Sequence, residues 1–229
     1  MPHRFIGDFS LKEKLICITE ENLLHQINKV LHLEVNEEII LSDGKGNEVV
    51  GMIGKLSPKS IEVELLKKQI NKNDPPKQVV LYCALLKADH FEWVLQKGTE
   101  VGVSEFVPLV TARTIKKGLN IKRCELIIRE AAEQSGRGIL PVLRNETRFL
   151  DALKDASKNN QNYFCNFGGK LLKVNQSAQR VGVFIGPEGG WEANEVEIAQ
   201  KYHLEAVSLG SLTMRAETAA IIASYLINH

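Results

Sequence analysis

The chain has 229 residues, of which 44% are hydrophobic and 25% charged, and its formal net charge is +1. This is the composition of an ordinary globular protein, which excludes disordered and collagen-like chains, and no apolar run reaches the length of a membrane span. The start of the chain lacks a signal-peptide core, so we expect a cytoplasmic protein that does not bind a membrane.

The four cysteines are far apart in the sequence, with no Cys-x-x-Cys pair and no histidine at ligand spacing. We therefore expect neither a disulfide framework nor a metal site. We interpret them as reduced packing residues: Cys17, Cys83, Cys124 and Cys165.

Residues 1–72 carry short strand-like runs between turn signals, which predict a small β-barrel domain. One helix is predicted over Glu20–Leu31, with Thr19 as its N-cap. The polar, proline-containing segment Asn71–Lys77 predicts a linker, so a second domain is expected over residues 73–229. The predicted strands of the first domain are Leu15–Ile18, Ile39–Leu41, Val49–Ile53 and Ile61–Leu66.

After the linker, long apolar runs alternate with helical patterns. This alternation predicts a mostly parallel sheet with helices on both faces. The predicted strands are Gln78–Leu86, Phe106–Val110, Asn162–Cys165, Val181–Ile185 and Leu204–Leu209. The predicted helices are His90–Val101, Ile121–Gly136, Leu150–Ser157, Glu192–Tyr202 and a last helix that ends at Ile227.

A glycine-rich loop joins one predicted strand to a helix, which is where open α/β sheets bind ligands. A phosphate-binding loop would carry Lys and then Ser or Thr at the helix start, but Trp191 and Glu192 stand there, and Glu188 lies within the loop. Two carboxylates would repel a polyphosphate, so we expect a neutral or cationic ligand held by main-chain groups. The alternative is a plain turn that closes a βα unit. The loop consists of Gly186, Pro187, Glu188, Gly189 and Gly190.

A second loop follows the strand predicted over Leu204–Leu209 and leads into the last helix. If the two strands are neighbours, the two loops lie side by side at the carboxyl edge of the sheet. We therefore predict one shared site, to which the second loop contributes the segment Gly210–Ala220.

The segment from Arg113 to Arg129 is locally basic, although the chain is not. Such a run is typical of a solvated face, and it could also be a phosphate-binding patch. It has one anion, Glu125, against six cations: Arg113, Lys116, Lys117, Lys122, Arg123 and Arg129.

The two loops together resemble the SPOUT class of RNA methyltransferases and, within it, the RsmE family, which methylates N3 of a uridine in 16S ribosomal RNA. That family has Gly-Pro-Glu-Gly-Gly followed by Leu-Gly-x-x-x-x-Arg-x-Glu-Thr-Ala. The first motif is matched by the glycine-rich loop and the second by Leu209, Gly210, Arg215, Glu217, Thr218 and Ala219. The segments Lys97–Val103 and Glu130–Arg137 also match.

The resemblance implies the fold in more detail. It implies a SPOUT-type mostly parallel sheet with a C-terminal trefoil knot, and an N-terminal PUA-like β-barrel domain that holds RNA. It also implies a homodimer, because SPOUT sites are built at a subunit interface, and 16S ribosomal RNA or the small ribosomal subunit as partner.

The resemblance further implies that S-adenosylmethionine is the cofactor and that no metal takes part. The residues expected to hold the cofactor are Gly186, Pro187, Glu188, Gly189, Gly190, Leu209, Gly210, Leu212, Met214 and Ala219. The residues expected to contact RNA are Arg4, Lys87, Lys97, Arg113, Gln134 and Arg137.

The reaction sets one further demand, because N3 of uracil carries a proton and is a poor nucleophile until that proton leaves. The site therefore needs a base, or cations that stabilise the uracil anion. We expect Arg215 to stabilise the anion and Glu217 either to orient Arg215 or to accept the proton. The alternative for Glu217 is a capping carboxylate at the last helix.

Three places depart from the family pattern: the family commonly has Arg where this chain has Leu212, Arg where it has His32, and a Gly-Asp pair where it has Asn36 and Glu37. Two other functions therefore stay open. One is a SPOUT methyltransferase with a different RNA target, and the other is an RNA-binding protein that has lost catalysis.

Overall fold

The computed structural model describes residues 2–87, 89–115 and 118–229. The chain divides into two compact units. Unit 1 comprises Met1–Asp74 and Ala132–Leu140, and unit 2 comprises Pro75–Ala131 and Pro141–His229.

Unit 1 contains a sheet in the order β1-β3-β4-β5-β2. β1 pairs with β3 in parallel, and the other neighbours are antiparallel. The two edge strands do not pair with each other within the described part of the chain, so the sheet is open there. The strands are β1 His3–Ile6, β2 Leu15–Ile18, β3 Glu38–Ser42, β4 Asn47–Leu56 and β5 Ile61–Ile70.

The helix of unit 1 begins later than predicted. α1 spans Glu21–His25 and continues as a π-helix over Gln26–Val30. The predicted N-cap at Thr19 is wrong, because Glu20 is the N-cap residue and its carbonyl accepts the first helical bond from the amide of Leu24 at 2.9 Å. The helix buries its apolar side in the core of the sheet, which includes Leu23, Leu24, Ile27, Phe5, Ile39 and Val63.

Unit 2 contains a sheet in which every pairing is parallel. Its order is β12-β10-β11-β6-β7-β8, and β9 also pairs with β7. The strands are β6 Gln78–Ala84, β7 Val103–Val110, β8 Val142–Leu143, β9 Thr147–Arg148, β10 Gln161–Leu171, β11 Arg180–Ile185 and β12 Glu205–Ser208. The helices after α1 are α2 His90–Glu100, α3 Ile121–Ser135, α4 Phe149–Asp155, α5 Ala193–Lys201 and α6 Ala216–Asn228, and Ala156–Lys158 forms a 3-10 turn.

The helices lie on both faces of this sheet, which confirms the predicted α/β class. One face packs against α4 and α5 in a cluster that contains Tyr82, Phe184 and Phe149. α6 packs against β6, β11 and α2, and α2 also packs against β7. Because side chains alternate along a strand, this second layer covers the face to which Leu81 and Val183 point.

The strand order corrects one prediction. The strands that precede the two loops, β11 and β12, are not neighbours, because β10 lies between them and pairs with both. β10 is also longer than the predicted Asn162–Cys165, and its register against β12 shifts between Cys165 and Lys170. The carboxyl edge of the sheet therefore presents three adjacent strand ends at this point.

Candidate active site

A cavity of about 540 Å³ opens at the carboxyl ends of β10, β11 and β12. This is the position at which open parallel sheets bind ligands, and the volume lies in the ordinary range for small-molecule sites. Its lining residues fall within 165–167, 185–191 and 207–219, together with His90 at the start of α2.

The cavity brings the two predicted loops together even though their strands are separated. Nine of the ten residues expected to hold the cofactor line it, and so do Arg215 and Glu217. The exception is Gly189, whose carbonyl oxygen accepts a hydrogen bond from Nη1 of Arg113 at 2.7 Å.

Two glycines of the loops, Gly190 and Gly210, have open space beside their backbone. Gly190 has φ +71° and Gly210 has φ +141°, which L side chains rarely adopt, and a Cβ built on either would meet no atom within 4 Å. Both lie in the cavity lining, so the main chain can be approached closely there.

Trp191 fixes the first loop to β10. Its indole Nε1 donates a hydrogen bond to the carbonyl oxygen of Cys165 at 2.9 Å, and its ring stacks on Phe164 with centroids 4.5 Å apart. The ring also lies against Gly186, where a Cβ would come within 2.9 Å of an indole carbon. Position 186 therefore requires glycine because the indole of Trp191 packs against it, and not because its backbone has a left-handed φ.

Glu188 lines the cavity and also accepts a hydrogen bond from another part of the chain. Its Oε1 accepts a hydrogen bond from the backbone N–H of Lys87 at 2.8 Å. This bond ties the first loop to the segment between β6 and α2. The side chain of Lys87 itself is exposed.

The basic segment is partly paired. Arg123 forms two hydrogen bonds of 2.8 Å with the carboxylate of Glu92, and these raise the pKa of Arg123. Arg113, besides its bond to Gly189, lies 3.8 Å from a carboxylate oxygen of Glu192. Two further cations of the segment, Lys116 and Lys117, lie outside the described residues.

The other residues predicted to contact RNA differ in accessibility. Gln134 is exposed, and Lys97 is half-buried and paired with Glu100 at 2.8 Å. Arg4 is paired with Glu48 at 2.8 Å in unit 1, where its side chain is 14% exposed.

Arg137 is buried, with 6% exposure, and its Nε donates to Asp74 at 2.9 Å. Burial lowers the pKa of Arg137, although the carboxylate of Asp74 opposes this effect. Arg137 therefore forms a buried ion pair with Asp74 inside unit 1. Its buried position does not support the predicted RNA contact.

Arg215 and Glu217 lie at the start of α6. Arg215 is the N-cap residue and is exposed. No side-chain hydrogen bond caps this helix, so the alternative role of Glu217 as a capping carboxylate is not supported. Instead, Oε2 of Glu217 lies 3.7 Å from Nδ1 of His90.

Two parts of the cavity were not predicted from the sequence. His90 had no signal beyond its place at a helix start, and the segment Cys165–Phe167 was hidden because the predicted strand ended at Cys165. Cys165 is partly exposed, but desolvation of its thiol raises its pKa to about 12 and keeps it protonated at neutral pH.

Within residues 2–87, 89–115 and 118–229, no group of three or more His, Cys, Asp or Glu side chains is placed to hold a metal ion. In the same residues, no helix has both the length and the apolar character needed to cross a membrane.

Comparison with known proteins agrees with this geometry. The sequence profile of a family described as RNA methyltransferase domain matches residues 73–228. The parallel sheet, the cavity at its carboxyl edge and this match define an RNA methyltransferase domain.

The chain is also similar to a ribosomal RNA small subunit methyltransferase E from Rickettsia conorii, with 30% identity over 226 residues, 96% of this chain and 91% of the relative. A crystal structure of a ribosomal RNA small subunit methyltransferase E from Neisseria gonorrhoeae bound to S-adenosyl methionine covers 99% of this chain and 96% of its own, with TM-score 0.89 and 27% identity. A Legionella pneumophila methyltransferase structure with bound SAM covers 99% of this chain and 97% of its own, with TM-score 0.90 and 26% identity. The chain therefore belongs to the ribosomal RNA small subunit methyltransferase E family.

Proposed function

We propose that this protein transfers a methyl group from S-adenosylmethionine to N3 of a uridine in the 16S RNA of the small ribosomal subunit. The observation that carries the proposal is that residues of both family motifs line one cavity. The family membership and the SAM-bound structures of similar proteins support the choice of cofactor.

The residues of the cavity fit this cofactor. S-adenosylmethionine carries a positively charged sulfonium, and the cavity is lined by the carboxylates of Glu188 and Glu217. Oε2 of Glu217 is buried and has no hydrogen-bond partner among the described residues. The open main chain at Gly190 and Gly210 can supply hydrogen bonds to a neutral purine and to the methionine part. When bound, the cofactor supplies the methyl group as an electrophile.

The chain itself must position the uridine and stabilise it without its N3 proton. Arg215 is exposed in the cavity lining, where its guanidinium can bind a uracil carbonyl oxygen as negative charge develops. The nine predicted cofactor-holding residues that line the cavity hold the methyl donor, and Arg113 supports the loop through Gly189.

The finer architecture belongs to the same proposal. Residues 1–72 form a PUA-like RNA-binding domain, and residues 73–229 form a SPOUT domain with a C-terminal trefoil knot. RNA contacts fall on Arg4, Lys87, Lys97, Arg113 and Gln134, which are at least partly accessible. The family match over 73–228 supports the boundary. The cytoplasmic location stays a prediction.

The proposal includes a homodimer. Three large apolar side chains near the carboxyl edge of the sheet are exposed: Phe167 at 72%, Leu171 at 64% and Leu212 at 80%. Phe167 and Leu212 also line the cavity. Exposed apolar groups in such a cluster are typical of an interaction surface, and a second copy of the chain would cover them.

Two measurements test the function. Titration calorimetry should show binding of S-adenosylmethionine, and the purified protein should methylate small subunits from a strain that lacks it, with mass mapping of the RNA to locate the methyl group. Absence of cofactor binding would leave an RNA-binding protein without catalysis. A methyl group found elsewhere in RNA would indicate a different target.

A matched pair of variants tests the role of Arg215. Arg215→Ala should lower the rate of methyl transfer on the order of 10²-fold while cofactor affinity changes little, since loss of one oxyanion donor has about this effect. Arg148→Ala is the control, because Arg148 is also an exposed N-cap residue, at α4, and does not line the cavity. An unchanged rate in Arg215→Ala would remove this residue from the mechanism.

A further inference from the structure

His90 is the one histidine in the cavity lining among the described residues, and nothing in the motifs accounts for it. It begins α2, which packs against α6, and this places it opposite Glu217 in the first turn of α6. His90 and Glu217 thus come from two helices that meet at the floor of the site.

The two side chains face each other through one ring nitrogen of His90 and one carboxylate oxygen of Glu217. Nδ1 of His90 and Oε2 of Glu217 are 3.7 Å apart, and neither has a hydrogen-bond partner in the described part of the chain. Both atoms are buried, although 43% of the His90 side chain is exposed. The exposed edge of the imidazole is therefore the one that carries Nε2.

This arrangement determines the chemistry of the ring. A carboxylate beside Nδ1 favours the tautomer with the proton on Nδ1, because the hydrogen bond at one nitrogen sets which nitrogen is protonated. Shortening the contact by about 0.5–1 Å brings it into hydrogen-bond range, and such contacts often tighten only when a substrate is bound. The Nε2 lone pair then faces the cavity as a proton acceptor.

We propose that His90 is the base that removes the N3 proton of the target uridine and that Glu217 is its positioning residue. The proposal rests on the uridine methylation proposed above. The N3–H bond breaks, its proton moves to Nε2, and the electron pair left on N3 forms the bond to the methyl carbon as the carbon–sulfur bond breaks toward sulfur. The imidazolium then releases its proton to solvent at the exposed edge.

The surroundings of His90 suit this role. The charged groups in the cavity lining besides Glu217 are Glu188, whose Oε1 is bonded to the Lys87 amide, and Arg215. On β6 the nearby titratable group is Cys83, which is fully buried, and burial raises its pKa so that it stays a neutral thiol. Among the described cavity-lining residues, His90 is therefore the side chain that offers a ring nitrogen as a proton acceptor.

One measurement tests the contact without any reaction. Long-range ¹H–¹⁵N NMR of the cofactor-free protein reports the tautomer of each neutral histidine, and the resonances of His90 are those missing in His90→Asn. The wild-type ring should carry its proton on Nδ1, and in Glu217→Ala the proton should move to Nε2, which a free imidazole prefers. A ring already protonated at Nε2 in the wild type would overturn the proposed positioning.

A second measurement tests catalysis. In single-turnover methylation of small subunits, His90→Asn should lower the rate on the order of 10²-fold and change the pH dependence of the rate. Cofactor affinity should stay within a few-fold. The matched control is His203→Asn, because His203 is exposed, lies outside the cavity and has φ +58°, a conformation that Asn tolerates.

The outcomes separate the two proposals. If the wild type binds the cofactor and methylates RNA but His90→Asn keeps its rate and pH profile, the role of His90 is wrong and the proposed function stands. If the wild type neither binds the cofactor nor methylates, both proposals fail.

Discussion

The contact between Gly186 and Trp191 gives a sharp test of how the first loop is built. Gly186→Ala would place a methyl group 2.9 Å from one indole atom and 3.0 and 3.2 Å from two others, where ordinary contacts are 3.4–4 Å. The indole is rigid and 9% exposed, so it cannot swing into solvent. The ring must tilt, which lengthens its hydrogen bond to the Cys165 carbonyl.

The cost follows from these contacts. Overpacking by one methyl group costs about 1–3 kcal/mol, and the weakened hydrogen bond contributes about 1 kcal/mol of it. For a chain of this size, about 2 kcal/mol lowers the Tm by roughly 4–8 °C. Because the loop lines the cavity, we also expect S-adenosylmethionine to bind about tenfold more weakly, which corresponds to about 1.4 kcal/mol.

Gly189→Ala is the matched control in the same loop. Neither glycine has a left-handed φ, so neither substitution strains the backbone. At Gly189 the new methyl group would meet only the flexible Arg113 side chain, at 3.4 Å. Thermal unfolding and titration calorimetry on both variants decide the matter, and near-ultraviolet circular dichroism reports the tilt of the indole. Equal Tm and affinity in the two variants would refute the argument from Trp191.

Three further predictions follow from single side chains. Arg113→Ala removes an exposed hydrogen bond to the first loop and should raise the Kd for S-adenosylmethionine about threefold to fivefold, measured by calorimetry. Burial raises the pKa of Asp155, but hydrogen bonds from Lys158 and Tyr82 outweigh it and leave this pKa below its ordinary value. Stability from Asp155 is therefore present above about pH 4 and is lost as the pH falls through the lower folded-state value, so Asp155→Asn should reduce the fall in Tm below about pH 4. Alkylation of the native protein at pH 8 followed by peptide mass mapping should label the exposed Cys17 faster than the partly exposed Cys165, because desolvation raises the pKa of the Cys165 thiol to about 12.

The sequence predicted the fold class because the strands of a parallel sheet are buried on both faces and therefore read as unbroken apolar runs. Gln78–Ala84 and Arg180–Ile185 are examples, and each differs from its predicted bounds by one or two residues. The two-residue strands β8 and β9 carry no such run and were missed. The π-helical turn after α1 was also missed, because its backbone bonds leave no pattern of residue types.

Only the parts of the candidate site that carry a sequence motif were predicted. The glycine-rich loop and the start of α6 were found because glycines and a helix start are visible in the sequence. The part of the cavity lined by residues 165–167 was not predicted, since the extension of β10 through Phe167 and Gly169 has few apolar residues. Strand order was not accessible either, because pairing of β10 with both β11 and β12 depends on contacts between distant segments.

Some residues of the first loop, which were predicted to bind the ligand, also form bonds to other parts of the protein. Two groups of this loop and the indole that follows it are held by other elements: Glu188 by the Lys87 amide, Gly189 by Arg113, and Trp191 by β10. Each bond comes from a different part of unit 2, so the loop is fixed before any ligand enters. A site whose main chain is fixed in this way loses little conformational entropy on binding, which favours recognition through backbone groups at Gly190. A phosphate-binding loop would have a lysine where this chain has Trp191. Here the indole of Trp191 anchors the loop to β10 instead.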